Sequence, residues 1–155
     1  MELILWRHAE AEPGGPGQPD EARELTEKGR KQARRMGEWL NRNLPDDCRI
    51  LCSPAVRTLQ TVEALGRKFK TSRALAPDAG ARDILGAADW PDSDSPVLVV
   101  GHQPALGHVA SLLIAGLEEA WHLRKGSICW IASKDDDNGE FPYLRVVLGA
   151  DLAGK

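Results

Sequence analysis

The chain lacks an excess of positive charge: 20 Lys and Arg stand against 23 Asp and Glu, for a formal net charge of -3 over 155 residues. General nucleic-acid and membrane-surface binders are ordinarily basic, so both partner classes are set aside, and any anion site must be a local cluster of arginines. Cysteine is scarce. Cys48, Cys52 and Cys129 are odd in number and lack metal-type spacing, and Cys52 and Cys129 lie in apolar runs as small core residues. No apolar stretch is long enough to span a bilayer. The run that opens the chain is too short for a secretory signal and has no basic leader. Carboxylate–histidine spacing of a metal site is absent as well. These absences predict a reduced, cytoplasmic protein. It is further expected to be a monomer and to use no metal and no cofactor.

What is present is organised around Leu3-Ile4-Leu5-Trp6-Arg7-His8. Four apolar residues predict a buried first strand, and Arg7 and His8 fall where it ends. Ligands of open α/β sheets bind at the carboxyl ends of strands. A cation and an imidazole there suit an anionic substrate, with His8 as nucleophile, base or metal ligand. The proline- and glycine-rich residues 11–20 form a loop that either borders this site or is a plain surface connection. Thr26 predicts the N-cap of a helix burying Ala33, Met36, Gly37 and Leu40, with Arg30, Arg34 and Arg35 on a solvated face. Arg49-Ile50-Leu51-Cys52 predicts a second strand. Ser53 and Pro54 then read as N-cap and first residue of a helix running through Leu59, Val62, Leu65 and Phe69, with Arg57 in its first turn. A short extended piece passing into a loop over residues 74–81, and a brief helix over 83–88, follow.

Pro96-Val97-Leu98-Val99-Val100-Gly101-His102-Gln103-Pro104 repeats the opening device: a buried strand delivering a histidine, then a helix. His108 and His122 read as structural. Residues 127–132 and 143–148 predict an antiparallel edge hairpin whose acidic tip, Asp135-Asp136-Asp137-Asn138-Gly139, is solvated. Alternating strands and helices predict an α/β fold, a three-layer α/β/α sandwich with a mostly parallel sheet. Three strand ends then converge on Arg7, His8, Ser53, Arg57 and His102. Two arginines, two histidines and a helix N-terminus make a positive pocket shaped for a phosphoryl group. Arginines beside a histidine lower its pKa and favour the neutral, nucleophilic form.

Four segments carry a family resemblance. Leu5-Trp6-Arg7-His8-Ala9-Glu10 resembles the Arg-His-Gly signature of the histidine phosphatase (phosphoglycerate mutase-like) superfamily, with alanine in place of the glycine. Leu25-Thr26-Glu27-Lys28-Gly29-Arg30-Lys31-Gln32-Ala33 resembles its L-T-x-x-G-x-x-Q-A segment. Ser53-Pro54-Ala55-Val56-Arg57-Thr58-Leu59-Gln60-Thr61 resembles S-P-x-x-R-x-x-Q-T, and Val100-Gly101-His102-Gln103-Pro104 the V-x-H-x-P ending. The chain is most similar to the compact SixA-type phosphohistidine phosphatases.

The resemblance implies one histidine phosphatase domain over residues 1–155 and a phosphoglycerate mutase-like fold. It implies a metal-independent phosphatase with His8 as nucleophile, and Arg7, Arg57 and His102 as phosphoryl ligands. Larger relatives carry a glutamate general acid. Asp78 is its nearest counterpart here, with Glu10 and Glu12 the alternatives. An alkoxide leaving group needs such an acid, whereas imidazole leaves readily. The short chain therefore points to phosphohistidine on a signalling protein as substrate. The alternative is a small phosphate ester: a sugar, nucleotide or cofactor precursor. A mutase, a metal site built from His8, His102 and His108, and a non-enzymatic phosphate-binding module rank behind.

Overall fold

The computed structural model describes residues 1–134 and 141–154. The acidic tip at 135–139 lies outside them. β1 (Glu2–Arg7) is held on both sides, parallel to β4 (Val97–Gly101) and antiparallel to β5 (Ile128–Lys134). The six-stranded order is β3-β2-β4-β1-β5-β6, with β2 (Arg49–Cys52) and β3 (Lys70–Thr71) parallel to β4 and β1. β6 (Phe141–Leu148) closes the far edge as the antiparallel partner of β5. The expected three-layer α/β/α sandwich with an antiparallel edge hairpin is thus the observed fold.

Strand side chains alternate between the two faces, and each face meets its own helices. Leu3, Leu5, Val97 and Val99 pack against residues of α3 (Ala81–Ala87) and α4 (Ala105–Ala115). Ile4, Trp6, Leu98 and Val100 pack against α1 (Glu27–Asn43) and α2 (Val56–Glu63). Both β1 and β4 read as unbroken apolar runs because they are covered on both sides.

Two expected elements differ. α2 ends at Glu63 instead of reaching Phe69; Gly66, in the left-handed region at φ +69°, follows its C-cap. Leu65 and Phe69 still reach the core, from irregular chain. The extended piece expected to open residues 74–81 is instead the end of a 3-10 turn over Arg73–Leu75, because the Ser72 hydroxyl accepts from the Ala74 N–H and caps it.

The motif residues outside the reacting centre act as clamps on the chain that leaves β1. Thr26 caps α1, accepting from the Gly29 N–H at 2.9 Å, and its hydroxyl also donates to the Glu10 carboxylate at 2.7 Å. Gln32 Oε1 accepts from the Glu10 N–H, and Thr61 Oγ1 from the Ala9 N–H. Gln60 Oε1 accepts from the Leu25 N–H. Gly29 is required by proximity: a Cβ there would sit 2.0 Å from the Glu10 carbonyl oxygen. The alanine at position 9 is fully buried against Leu25 and Ala33. A methyl group is accommodated there by packing.

Candidate active site

His8 is placed by the end of β1. Its backbone N–H donates to the Gly101 carbonyl at the end of β4, and the loop residue Gly126 donates to the His8 carbonyl. The His8 Nδ1 lies 2.7 Å from the Ala9 carbonyl oxygen. A carbonyl can only accept, so Nδ1 carries the proton and Nε2 carries the lone pair. The neighbouring imidazole, His102, lies at the end of β4 with its ring centroid 5.3 Å from that of His8. His102 Nε2 is 2.7 Å from Ser53 Oγ, which also accepts from the Ala55 N–H.

Two guanidinium groups flank the imidazoles. Arg7 donates from Nη1 to the Leu123 carbonyl at 2.7 Å. Arg57, only 4% exposed, grips Asp20 twice: Nη1 donates to the Asp20 carbonyl at 2.9 Å and Nη2 to its carboxylate at 3.0 Å. The Nε atoms of both arginines and His102 Nδ1 are buried without a partner among the described residues. Unpaired buried donors are costly, and an anion bound between them offsets that cost. The cavity they share, about 310 Å³, is also lined by Ala11, Arg23, Pro77, Gln103 and Lys125. It is small and strongly cationic, whereas a depression of about 670 Å³ beside β2 and β3 is lined by Arg49, Arg67, Lys68 and Lys70 but by no histidine.

Both histidines are neutral at physiological pH. Burial is the main cause for His8, pushed down to about 4; the bond to Ala9 opposes it, and Arg57, Arg7 and Arg23 add to the lowering. His102 is pushed down to about 3, first by burial and then by Arg57 and His8. The arginine effect expected from the sequence is present, but desolvation exceeds it.

A stability prediction follows with a definite sign. Both histidines bind protons more readily unfolded, with an ordinary pKa of 6.5. Their contribution is therefore complete above that value and is lost as pH falls towards 4. From about pH 7 to about pH 5 the loss is roughly 2 kcal/mol per histidine. Urea denaturation at the two pH values should show it, and the His8→Ala/His102→Ala double variant should flatten the dependence. An equally steep dependence in that variant would remove the two histidines as its source.

The family model for the histidine phosphatase superfamily (branch 1) matches residues 3–84, more than half of the chain. The chain belongs to the histidine phosphatase superfamily. A phosphohistidine phosphatase SixA homolog of Haemophilus influenzae is 30% identical over 128 residues, 73% of this chain and 77% of that one. The phosphohistidine phosphatase SixA of Escherichia coli is 27% identical over 151 residues, 92% of each chain. Among solved structures, that of a putative phosphohistidine phosphatase SixA from Nakamurella multipartitia is similar with a TM-score of 0.74. It is 28% identical, over 95% of this chain and 94% of that one.

This histidine phosphatase brings His8, Arg7, Arg57 and His102 together as the sequence predicts. It places Ser53 differently. Ser53 neither caps α2, whose N-cap is Ala55, nor lines the cavity; fully buried, it holds His102 from behind. The three carboxylates considered as proton donors lie outside the cavity lining. Glu10 is engaged by Thr26, Glu12 is exposed, and Asp78 is exposed one residue beyond Pro77.

The carboxylate that does reach this histidine phosphatase's arginines is Asp20, which sequence reasoning missed together with Arg23. A 3-10 turn over Asp20–Ala22 spaces them so that Arg23 Nε donates to Asp20 Oδ1 at 3.0 Å. An acid and a base three residues apart in an otherwise proline- and glycine-rich loop were the available signal. The loop that was expected either to border the site or merely to connect borders it through Ala11, which lines the cavity, and its last residue, Asp20, contacts Arg57. Partial burial pushes the Asp20 carboxyl up, but hydrogen bonding and charge from Arg57, then Arg23, outweigh this and hold it below its ordinary value.

Proposed function

We propose that this phosphatase removes phosphate from phosphohistidine on a cytoplasmic signalling protein, without a metal and through a phosphohistidine intermediate on His8. The observation that carries this reading is the carboxylate bonded to the cavity's arginines. Asp20 is held ionised by two arginines and has no proton to give, so the site suits a leaving group that needs no strong acid. Phosphohistidine provides one, since its imidazole leaves readily and takes a proton from water. The names of the Haemophilus influenzae and Escherichia coli relatives agree with this chemistry, and the three free cysteines agree with a reducing compartment.

In this mechanism the His8 Nε2 lone pair attacks phosphorus, and the phosphorus–nitrogen bond of the substrate breaks. Proton transfer from water neutralises the departing imidazole. Nδ1–H stays bonded to Ala9 and fixes the ring through both half-reactions. Arg7 and Arg57 spread positive charge over the phosphoryl oxygens, the task a metal ion performs elsewhere. Ser53 donates to His102 Nε2, which leaves the His102 Nδ1–H as a further donor to those oxygens. Water then attacks phospho-His8, inorganic phosphate leaves, and neutral His8 returns.

The test is dephosphorylation of a histidine-phosphorylated protein with EDTA present, beside a panel of sugar, nucleotide and cofactor-precursor phosphates. Fast clearance of phosphohistidine and slow ester turnover are expected. Faster ester turnover would overturn the proposal and make the small-molecule reading correct. Loss of turnover in EDTA would overturn its metal independence.

A further inference from the structure

Beside the catalytic cavity lies a second depression of about 260 Å³ that shares Arg7 and Lys125 with it and adds Lys28, His122 and Arg124. A third, of about 220 Å³, shares Lys28 and Gln32 with the second and continues along α1 to Lys31 and Arg35. A run of cations therefore leads from the reacting centre along one side of the molecule. Of the carboxylates on this path, Glu10 is engaged by Thr26, and Asp151 stands at the far end.

Arg23, Arg30, Arg73 and Arg145 each pair with a carboxylate. Among the described residues, Lys28, Lys31, Arg35, Arg124 and Lys125 form no such pair. Exposed arginines without a carboxylate partner among the described residues also include Arg42, Arg49 and Arg82, so what distinguishes this group is its place beside the catalytic cavity. In a chain of net charge -3, an unpaired basic track opening onto an anion site is a surface complementary to negative charge. The sequence alone reads the basic face of α1 as merely solvated. Its position in adjoining depressions is what changes that. Lys28, Lys31 and Arg35 recur at helical spacing over about 10 Å, the reach of roughly three residues of extended chain.

We propose that this track binds an acidic segment of the phosphoprotein flanking its phosphohistidine. The proposal rests on the phosphohistidine reading above and extends it from the phosphoryl group to the partner's surface. Two peptides test it, each with one central histidine phosphorylated by phosphoramidate, one with Asp and Glu flanks and the other with Ser flanks. At low ionic strength the enzyme should favour the acidic peptide in kcat/KM by about tenfold, the sum of several exposed charge pairs. High salt should erase the preference. Lys28→Glu/Arg124→Glu should erase it through KM, while turnover of free phosphohistidine is unchanged. Equal turnover of the two peptides, or a preference that survives the charge reversal, would overturn the proposal.

Fluorescence anisotropy of the same peptides without phosphate separates this inference from its premise. Tighter binding of the acidic peptide that the double variant loses supports the track, even if esters prove to be the better substrates. Equal binding of both peptides overturns the track, even if phosphohistidine is cleared. Inhibition by inorganic pyrophosphate that charge reversal removes, without any peptide preference, would assign the track to a small dianion and overturn the protein partner.

Discussion

His8→Ala is expected to lower phosphatase turnover by at least ~10⁴-fold, because it removes the group that forms the covalent intermediate. The fold should survive. The ring lies at the wall of a cavity, is held by one bond to Ala9, and is not part of either apolar cluster. Circular dichroism should therefore be unchanged while kcat collapses. Brief incubation of wild-type protein with labelled substrate, followed by alkaline quench and mass spectrometry, should place an acid-labile phosphate on His8 and nowhere else. The variant should carry none. A His8→Ala protein keeping a tenth of wild-type kcat would make water the direct attacker and the covalent route wrong.

Arg57→Ala should have the second largest effect, roughly a 10³-fold loss in kcat/KM shared between binding and rate. Three consequences of one deletion combine. A buried guanidinium facing the phosphoryl site is lost. Asp20 loses both of its bonds to Arg57, so the segment carrying Arg23 loses one of its ties to α2 and keeps those through Gln60. Arg57 also helps to keep His8 and His102 neutral, so both should titrate closer to the ordinary histidine range without it. The acidic limb of the pH–rate profile should move to higher pH as KM rises. Arg57→Lys should recover only part of the loss, since a single ammonium cannot reproduce a planar fork that bonds Asp20 through two nitrogens. Inhibition by inorganic phosphate measures the binding share directly. A loss below tenfold with unchanged phosphate affinity would remove Arg57 from the phosphoryl site.

These two residues show why much of the site was readable in advance. His8 and Arg57 each stand close to a strand end, and a strand end in this fold class is set by where an apolar run stops. Leu3–Trp6 and Val97–Val100 are such runs, and His8 and His102 follow them almost directly. The motif residues Thr26, Gln32, Gln60 and Thr61 were legible as a pattern, but their task of clamping residues 9, 10 and 25 was not. Ser53 shows how local reasoning fails: serine followed by proline is a good helix start, yet its hydroxyl meets His102, 49 residues away. The nearer carboxylates Glu10 and Asp78 were misleading for the same reason. Glu10 stands two residues from His8 in sequence and Asp78 is the nearest counterpart of the family's glutamate, yet neither lines the cavity.

The amino-acid sequence by itself determined which elements form, which faces they bury and which histidines and arginines end at one edge of the sheet. Each of these follows from interactions within a few residues: periodicity of apolar side chains, capping, and the punctuation of proline and glycine. Only the tertiary structure decided that Asp20 meets Arg57, that both imidazoles are desolvated enough to stay neutral, and that cations on α1 and on the loop before β5 adjoin the catalytic cavity. Those outcomes depend on long-range packing and on exclusion of water, which no local pattern encodes.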